Sequence, residues 1–237
     1  MRTKGQVTIF IIIALIIVGS VAGYFIFKDK SSKKNFSIEI GGVETFVSSC
    51  IENSLEYVSY ELALGGGYFL PPLASTDSGI PYYNLNGLAN PPKIQIVEGE
   101  FSEYLEFSIV SCVNDFEDFE DLNISSGEIS SELRILEEEL FLDVRYPLEI
   151  NKDDEKYILR DFEGFKIYSN FGKLYDVAYE LAKDYEDKRA ICISCISNLA
   201  LEKHVEINIE TPNDEDIIFK VKDKEGLEFI FAIKDEN

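Results

Sequence analysis

Histidine is almost missing from this chain: His204 is the only one, and tryptophan is absent altogether. A single imidazole leaves histidine-ligated metal sites and His-dependent nucleophilic catalysis without their parts, and at the end of an expected helix His204 has a structural role, buried or capping. No Gly-x-Ser-x-Gly turn or phosphate-binding loop occurs, and Gly65-Gly-Gly67 is too short to cradle a phosphate. Cysteine is sparse too. Cys50 and Cys112 stand alone and Cys192 and Cys195 form one close pair, which is not the doubled pairing of a zinc ribbon. Neither a metal nor a cofactor is expected.

Basic residues are also scarce, 22 against 44 acidic ones. All 44 acids but only 20 of the bases follow residue 27, so residues 28–237 carry a net charge of −24. Such a surface repels phosphate backbones and anionic lipid, which excludes nucleic acid as a partner.

What the chain does have is a membrane-type amino terminus. Arg2 and Lys4 precede an uncharged apolar run from Val7 to Phe27, 21 residues long. At about 1.5 Å of rise per residue, a helix of that length crosses a hydrocarbon core of roughly 30 Å. A cleaved secretory signal has a shorter core, and the small-residue site Ser20-Val21-Ala22 lies inside the run. The lipid bilayer is therefore the first expected partner. Lys28, Lys30, Lys33 and Lys34 follow the run, so basic residues flank it on both sides and charge alone does not orient it. An even cysteine count and the sequons at Asn35 and Asn123 favour an extracellular carboxyl-terminal domain on a single-pass anchor.

Lys4-Gly5-Gln6, just before the run, resembles the processing site of archaeal type IV pilin-like proteins with class III signal peptides. The resemblance implies cleavage between Gly5 and Gln6 by a prepilin-type peptidase, and other pilin-like subunits as partners. Pilins usually carry Glu at the fifth mature position, which here is Phe10. The whole chain is similar to a set of membrane-anchored archaeal proteins of uncharacterised function that begin Lys-Gly-Gln-Val-Thr-Ile-Phe-Ile-Ile. The matching pieces are Ser49-Cys50-Ile51, Gly66-Gly-Tyr68, Tyr146-Pro-Leu148 and Phe231-Ala-Ile-Lys234.

Four segments follow: a basic leader, 1–5; a transmembrane helix, 6–27; a polar tether, 28–37; and an acidic domain, 38–237. In the domain, Val43, Phe46, Val47, Cys50, Ile51, Ser54, Leu55, Val58 and Leu62 recur at helical spacing, and Gly65-Gly-Gly67 stops the helix. Gly65 to Pro92 holds five of the seven prolines and shows neither helical nor strand period. Helices are expected over 98–111, 171–187 and 191–203. Strands are expected near 129–135, 139–150, 156–167, 205–210, 216–222 and 227–234, with Pro147 marking an edge strand or a bulge. The fold class is α+β, an N-terminal transmembrane helix followed by an external domain of several helices and mainly antiparallel sheet.

The cysteines suit structural disulfides, either Cys50–Cys112 with Cys192–Cys195 or another of the three pairings. A thioredoxin-like role for Cys192-Ile-Ser-Cys195 needs the first cysteine at a helix amino terminus after a strand, and here an expected helix and the charged turn Glu186-Asp-Lys-Arg189 come before it. Tyr68, Phe69, Tyr82 and Tyr83 in the proline-rich loop are candidate binding residues, weighed against packing on the core. Asp115 to Asp121 lacks the glycine and spacing of a calcium loop and reads as a solvated turn or helix end with Phe116 and Phe119 inward. The chain thus reads as a non-enzymatic, membrane-anchored cell-surface protein, a pilin-like filament subunit or envelope scaffold. Its alternatives are a monomeric anchored binding domain and an extracytoplasmic enzyme such as a thiol-disulfide protein.

Overall fold

A computed structural model describes residues 37–153 and 155–234. The Gly5–Gln6 pair, the apolar run 7–27, the tether up to residue 36 and the Asn35 sequon lie outside the described residues. Among the described residues, no helix is long and apolar enough to cross a membrane.

Helix α1 covers 37–64, and its buried stripe of Val43, Val47, Cys50, Ile51, Leu55, Val58 and Leu62 follows the three- and four-residue spacing of the sequence. It ends at the glycines because Gly66 has φ of 60° and lies against its neighbours. A Cβ there would come within 2.5 Å of the Ile230 carbonyl oxygen. Helix α2, Ile94–Val113, buries Val97, Phe101, Leu105, Ile109 and Val113, one residue per turn. It begins earlier than expected, straight after Pro91-Pro92-Lys93.

Three contacts fix how these two helices meet. Cys50 pairs with Cys112, Ser108 donates to Ser54 at 3.0 Å, and the Tyr104 hydroxyl donates to that of Tyr57 at 3.4 Å. The partners climb one helix as they descend the other, so α1 and α2 are antiparallel and the disulfide pins their register.

Strands β1, Tyr82–Leu85, and β2, Leu88–Ala89, form a hairpin. With β7, Glu206–Glu210, β8, Asp216–Lys222, and β9, Glu228–Lys234, they make a five-stranded sheet in the order β2-β1-β9-β8-β7. β1 runs parallel to β9, so this sheet is mixed, and the Gly65–Pro92 segment is not free of strand as its sequence suggested. The hairpin turn is Asn86-Gly87, both at positive φ (55° and 74°), as a two-residue turn matched to strand twist requires.

The second sheet is built on β5, Glu139–Lys152. β3, Asn123–Ser126, and β4, Ser130–Ile135, share one edge of it, and β6, Glu155–Tyr168, pairs along the other. β5 is therefore interior. Pro147 is tolerated because the β5–β6 register slips between Arg145 and Leu148, so its bulge reading holds and its edge-strand reading does not. Alternate residues of β5, Leu140 through Ile150, face the core.

Helix α3, Phe171–Lys188, packs across β1, β2, β8 and β9, and α4, Ile193–Lys203, lies against α3 and β7. One hydrophobic cluster joins α1, α2, α3 and both sheets. The described chain is thus α+β with four helices and two sheets.

Candidate functional site

All four cysteines are paired, Cys50 with Cys112 and Cys192 with Cys195. The two pairs sit in unlike surroundings. Cys50 is 2% exposed on the apolar stripe of α1, while Cys112 is exposed near the end of α2. Cys192 and Cys195 are both half-buried. Cys192 occupies the N-cap of α4, just outside the observed helix although the sequence placed it inside one, and its Sγ accepts the Cys195 N–H at 3.3 Å.

The four aromatic candidates of the proline-rich loop divide. Tyr83 is fully buried against Phe229 and Phe231, with its hydroxyl donating to the Gly66 carbonyl at 3.0 Å. Burial pushes its phenol well above its ordinary pKa. Tyr82 donates to Asp216 Oδ1 at 2.5 Å, tying β1 to the start of β8. Tyr68 is half-buried, and burial raises its pKa too. Phe69 alone keeps an exposed face, stacked on Tyr104 with ring centroids 3.9 Å apart. Core packing accounts for Tyr83, and the bond to Asp216 engages Tyr82.

A cleft of about 650 Å³ opens where α1, the end of β6 and the β8–β9 turn converge. Tyr57, Tyr60 and Tyr168 line it, each roughly half exposed, together with Glu56, Glu61, Asp223 and Glu225. Its floor is already satisfied. Asp223 Oδ1 accepts the N–H groups of Glu225, Gly226 and Leu227 at 2.7–2.9 Å, and Oδ2 accepts Asn170 Nδ2 at 2.8 Å. Asp223 thus shapes the turn, leaving Glu56, Glu61 and Glu225 as the carboxylates turned toward a visitor. Ser59 Oγ donates to the Glu56 carbonyl at 2.8 Å, so its hydroxyl is engaged with backbone rather than with a base. Rings and carboxylates without a lining cation suit binding of positive charge.

The cleft is continuous with the loop. Tyr57 meets Tyr104 edge to face at 6.3 Å, and Tyr104 stacks on Phe69. The hydrogen bond to Tyr57 raises the Tyr104 phenol to about 12. Sequence reasoning named Phe69 but missed Tyr57, Tyr60 and Tyr168. The signal for the first two was their position on the polar flank of an otherwise well-read helix.

The acidic stretch forms a 3₁₀ turn, Asn114–Phe116, and the hydrogen-bonded turns after it, with Phe116 buried and Phe119 packed edge to face on Phe46 at 5.5 Å. Among the described residues, no cluster of three or more His, Cys, Asp or Glu is arranged to hold a metal ion. Asn123 of the second sequon is exposed on β3, and His204 caps α4 in the left-handed conformation. Comparison with protein-family models, curated proteins and solved structures finds no match for this chain.

Proposed function

We propose that the chain is a membrane-anchored surface protein, with the apolar run 7–27 as anchor and the acidic α+β domain displayed outside. The pairing of all four cysteines carries this reading, because disulfides form and persist in oxidising compartments and are rare where thiols are kept reduced. The resemblance of Lys4-Gly5-Gln6 to a class III processing site supports trimming before Gln6 and a pilin-like subunit or envelope scaffold. Phe10, where pilins place Glu, removes a buried charge that sets register between subunits. The test is intact mass and amino-terminal peptide of protein from native membranes, without reductant. A Gln6 terminus and the mass of two disulfides support the reading, and an uncut terminus with four free thiols refutes it.

A second reading rests on the tyrosine cleft: an anchored domain that binds a cationic ligand, such as the lysine side chains of a partner peptide. Titration with an oligolysine peptide should saturate and weaken at least tenfold in Tyr60→Ala, whereas binding unchanged by that substitution removes the cleft from the account.

A further inference from the structure

We propose that Cys192–Cys195 is a thiol–disulfide exchange site that accepts electrons from an external dithiol, while Cys50–Cys112 is purely structural. Three features set the pair apart. Cys192 is the N-cap of the 11-residue helix α4, and its Sγ already accepts an amide proton from Cys195 at 3.3 Å. The Lys188 ammonium, in the last turn of α3, donates to Cys195 Sγ at 3.0 Å. Cys195 lines a cleft of about 390 Å³ between α3 and α4, with Tyr179, Leu181, Ile196 and Leu199 among its walls. A thiol can therefore reach Cys195 Sγ from the cleft, beside an apolar wall.

The step balances as follows. One thiolate of the dithiol attacks Cys195 Sγ and forms a mixed disulfide, and the electron pair of the broken S–S bond leaves on Cys192. That leaving thiolate is stabilised by the helix amino terminus, and a better-stabilised thiolate leaves faster. The second thiol of the dithiol, once deprotonated, attacks its own sulfur in the mixed disulfide and expels the Cys195 thiolate beside Lys188. The dithiol ends as a disulfide, the protein holds two thiols after taking up two protons, and two electrons have moved.

The other pair fails on the leaving group. Cys112 is exposed, so a thiol can reach it, but attack there expels the Cys50 thiolate into the apolar α1 stripe, where burial disfavours charge. Asp184, Asp187, Glu180 and Lys183 also line the cleft around Cys195. Asp184 pairs with Lys188 and shares its charge. Lys188 thus acts directly on the attacked sulfur, and its removal slows exchange without abolishing it.

The experiment is reduction of the full-length chain in detergent by dithiothreitol at neutral pH, quenched with acid, alkylated and resolved by peptide mass. Cys192–Cys195 is expected to open at least tenfold faster than Cys50–Cys112, and Lys188→Met to slow it severalfold while leaving Cys50–Cys112 unchanged. With glutathione in place of dithiothreitol, the trapped adduct should sit on Cys195. Equal rates for the two pairs, an adduct on Cys192, or no effect of Lys188→Met would each overturn the proposal. Because the readout compares two disulfides in one molecule, partial misfolding would accelerate both and be recognised.

Discussion

Cys112→Ser should cost this domain about 4 kcal/mol. The Cys50–Cys112 bridge closes a loop with a sequence separation of 62 residues, and the chain-entropy model gives roughly that figure for a loop of this length. The substitution is clean on the native side. Cys112 is exposed, so serine leaves no cavity there, and the freed Cys50 thiol stays in its apolar seat as a small hydrophobe. The effect therefore acts on the unfolded chain, which regains the freedom of the segment between α1 and α2.

The assays are thermal and denaturant unfolding of the full-length protein and of Cys112→Ser, both without reductant. At about 2–4 °C per kcal/mol for a chain of this size, the thermal midpoint should fall by roughly 8–16 °C. The slope with denaturant should rise as well, since an uncrosslinked chain exposes more surface. A loss below about 1 kcal/mol with an unchanged slope would refute the reasoning. It would mean that α1 and α2 stay associated in the denatured state, through the Phe46–Phe116 and Tyr57–Tyr104 contacts, without the bridge.

Gly172→Ala should destabilise by about 1–3 kcal/mol, because a Cβ there would lie 2.1 Å from the Leu136 carbonyl oxygen and force α3 off the β4–β5 turn; thermal unfolding measures it. Gly87→Ala should cost about 1–2 kcal/mol through its left-handed φ of 74°. Its Cβ would also displace the Arg189 side chain, whose Nη1 donates to the Asn86 carbonyl at 3.1 Å, so faster hydrogen exchange in β1 and β2 should accompany the loss. Tyr82→Phe should flatten stability at both ends of the pH scale. The Tyr82 hydrogen bond holds the Asp216 carboxyl below its ordinary 3.8, so the stability it contributes is complete above about pH 4 and is lost as pH falls further. Tyr82 itself is raised above its ordinary 10.0, by burial first and then by Asp216, so its contribution is complete below pH 10 and is lost as pH rises beyond. Unfolding midpoints from pH 3 to 11 for both proteins decide this, and parallel curves would show that the bond contributes nothing.

Most helices and strands were legible because each buries one face of a regular period. The α1 stripe, the alternating β5 residues and the α3 ridge through Leu174, Val177, Ala178 and Leu181 can be read from spacing alone. β1 and β2 were missed although Asn86-Gly87 is a strong turn signal, since the strands are four and two residues long. What makes them strands is a parallel partner, β9, nearly 150 residues away, which no local pattern carries. β3 is largely exposed and has no alternation to betray it. The tyrosine cleft draws on residues 56–61, 167–170 and 223–227, and only the tertiary fold brings those three stretches together.

The cysteine pair shows how small a local difference can change the chemistry open to a site. With the helix over 191–203, as spacing alone suggested, Cys192 would lie inside the first turn with no special claim on a backbone amide. Arg189 instead ends α3 in the left-handed conformation at φ 53°, and Cys192 becomes a cap rather than a helical residue. Its sulfur then takes the place a serine or aspartate oxygen would hold, facing orphan N–H groups that favour negative charge. The α3–α4 corner also delivers Lys188 to the other sulfur. The N-cap sulfur and the Lys188 contact on which the proposed exchange rests therefore both come from the corner that Arg189 makes.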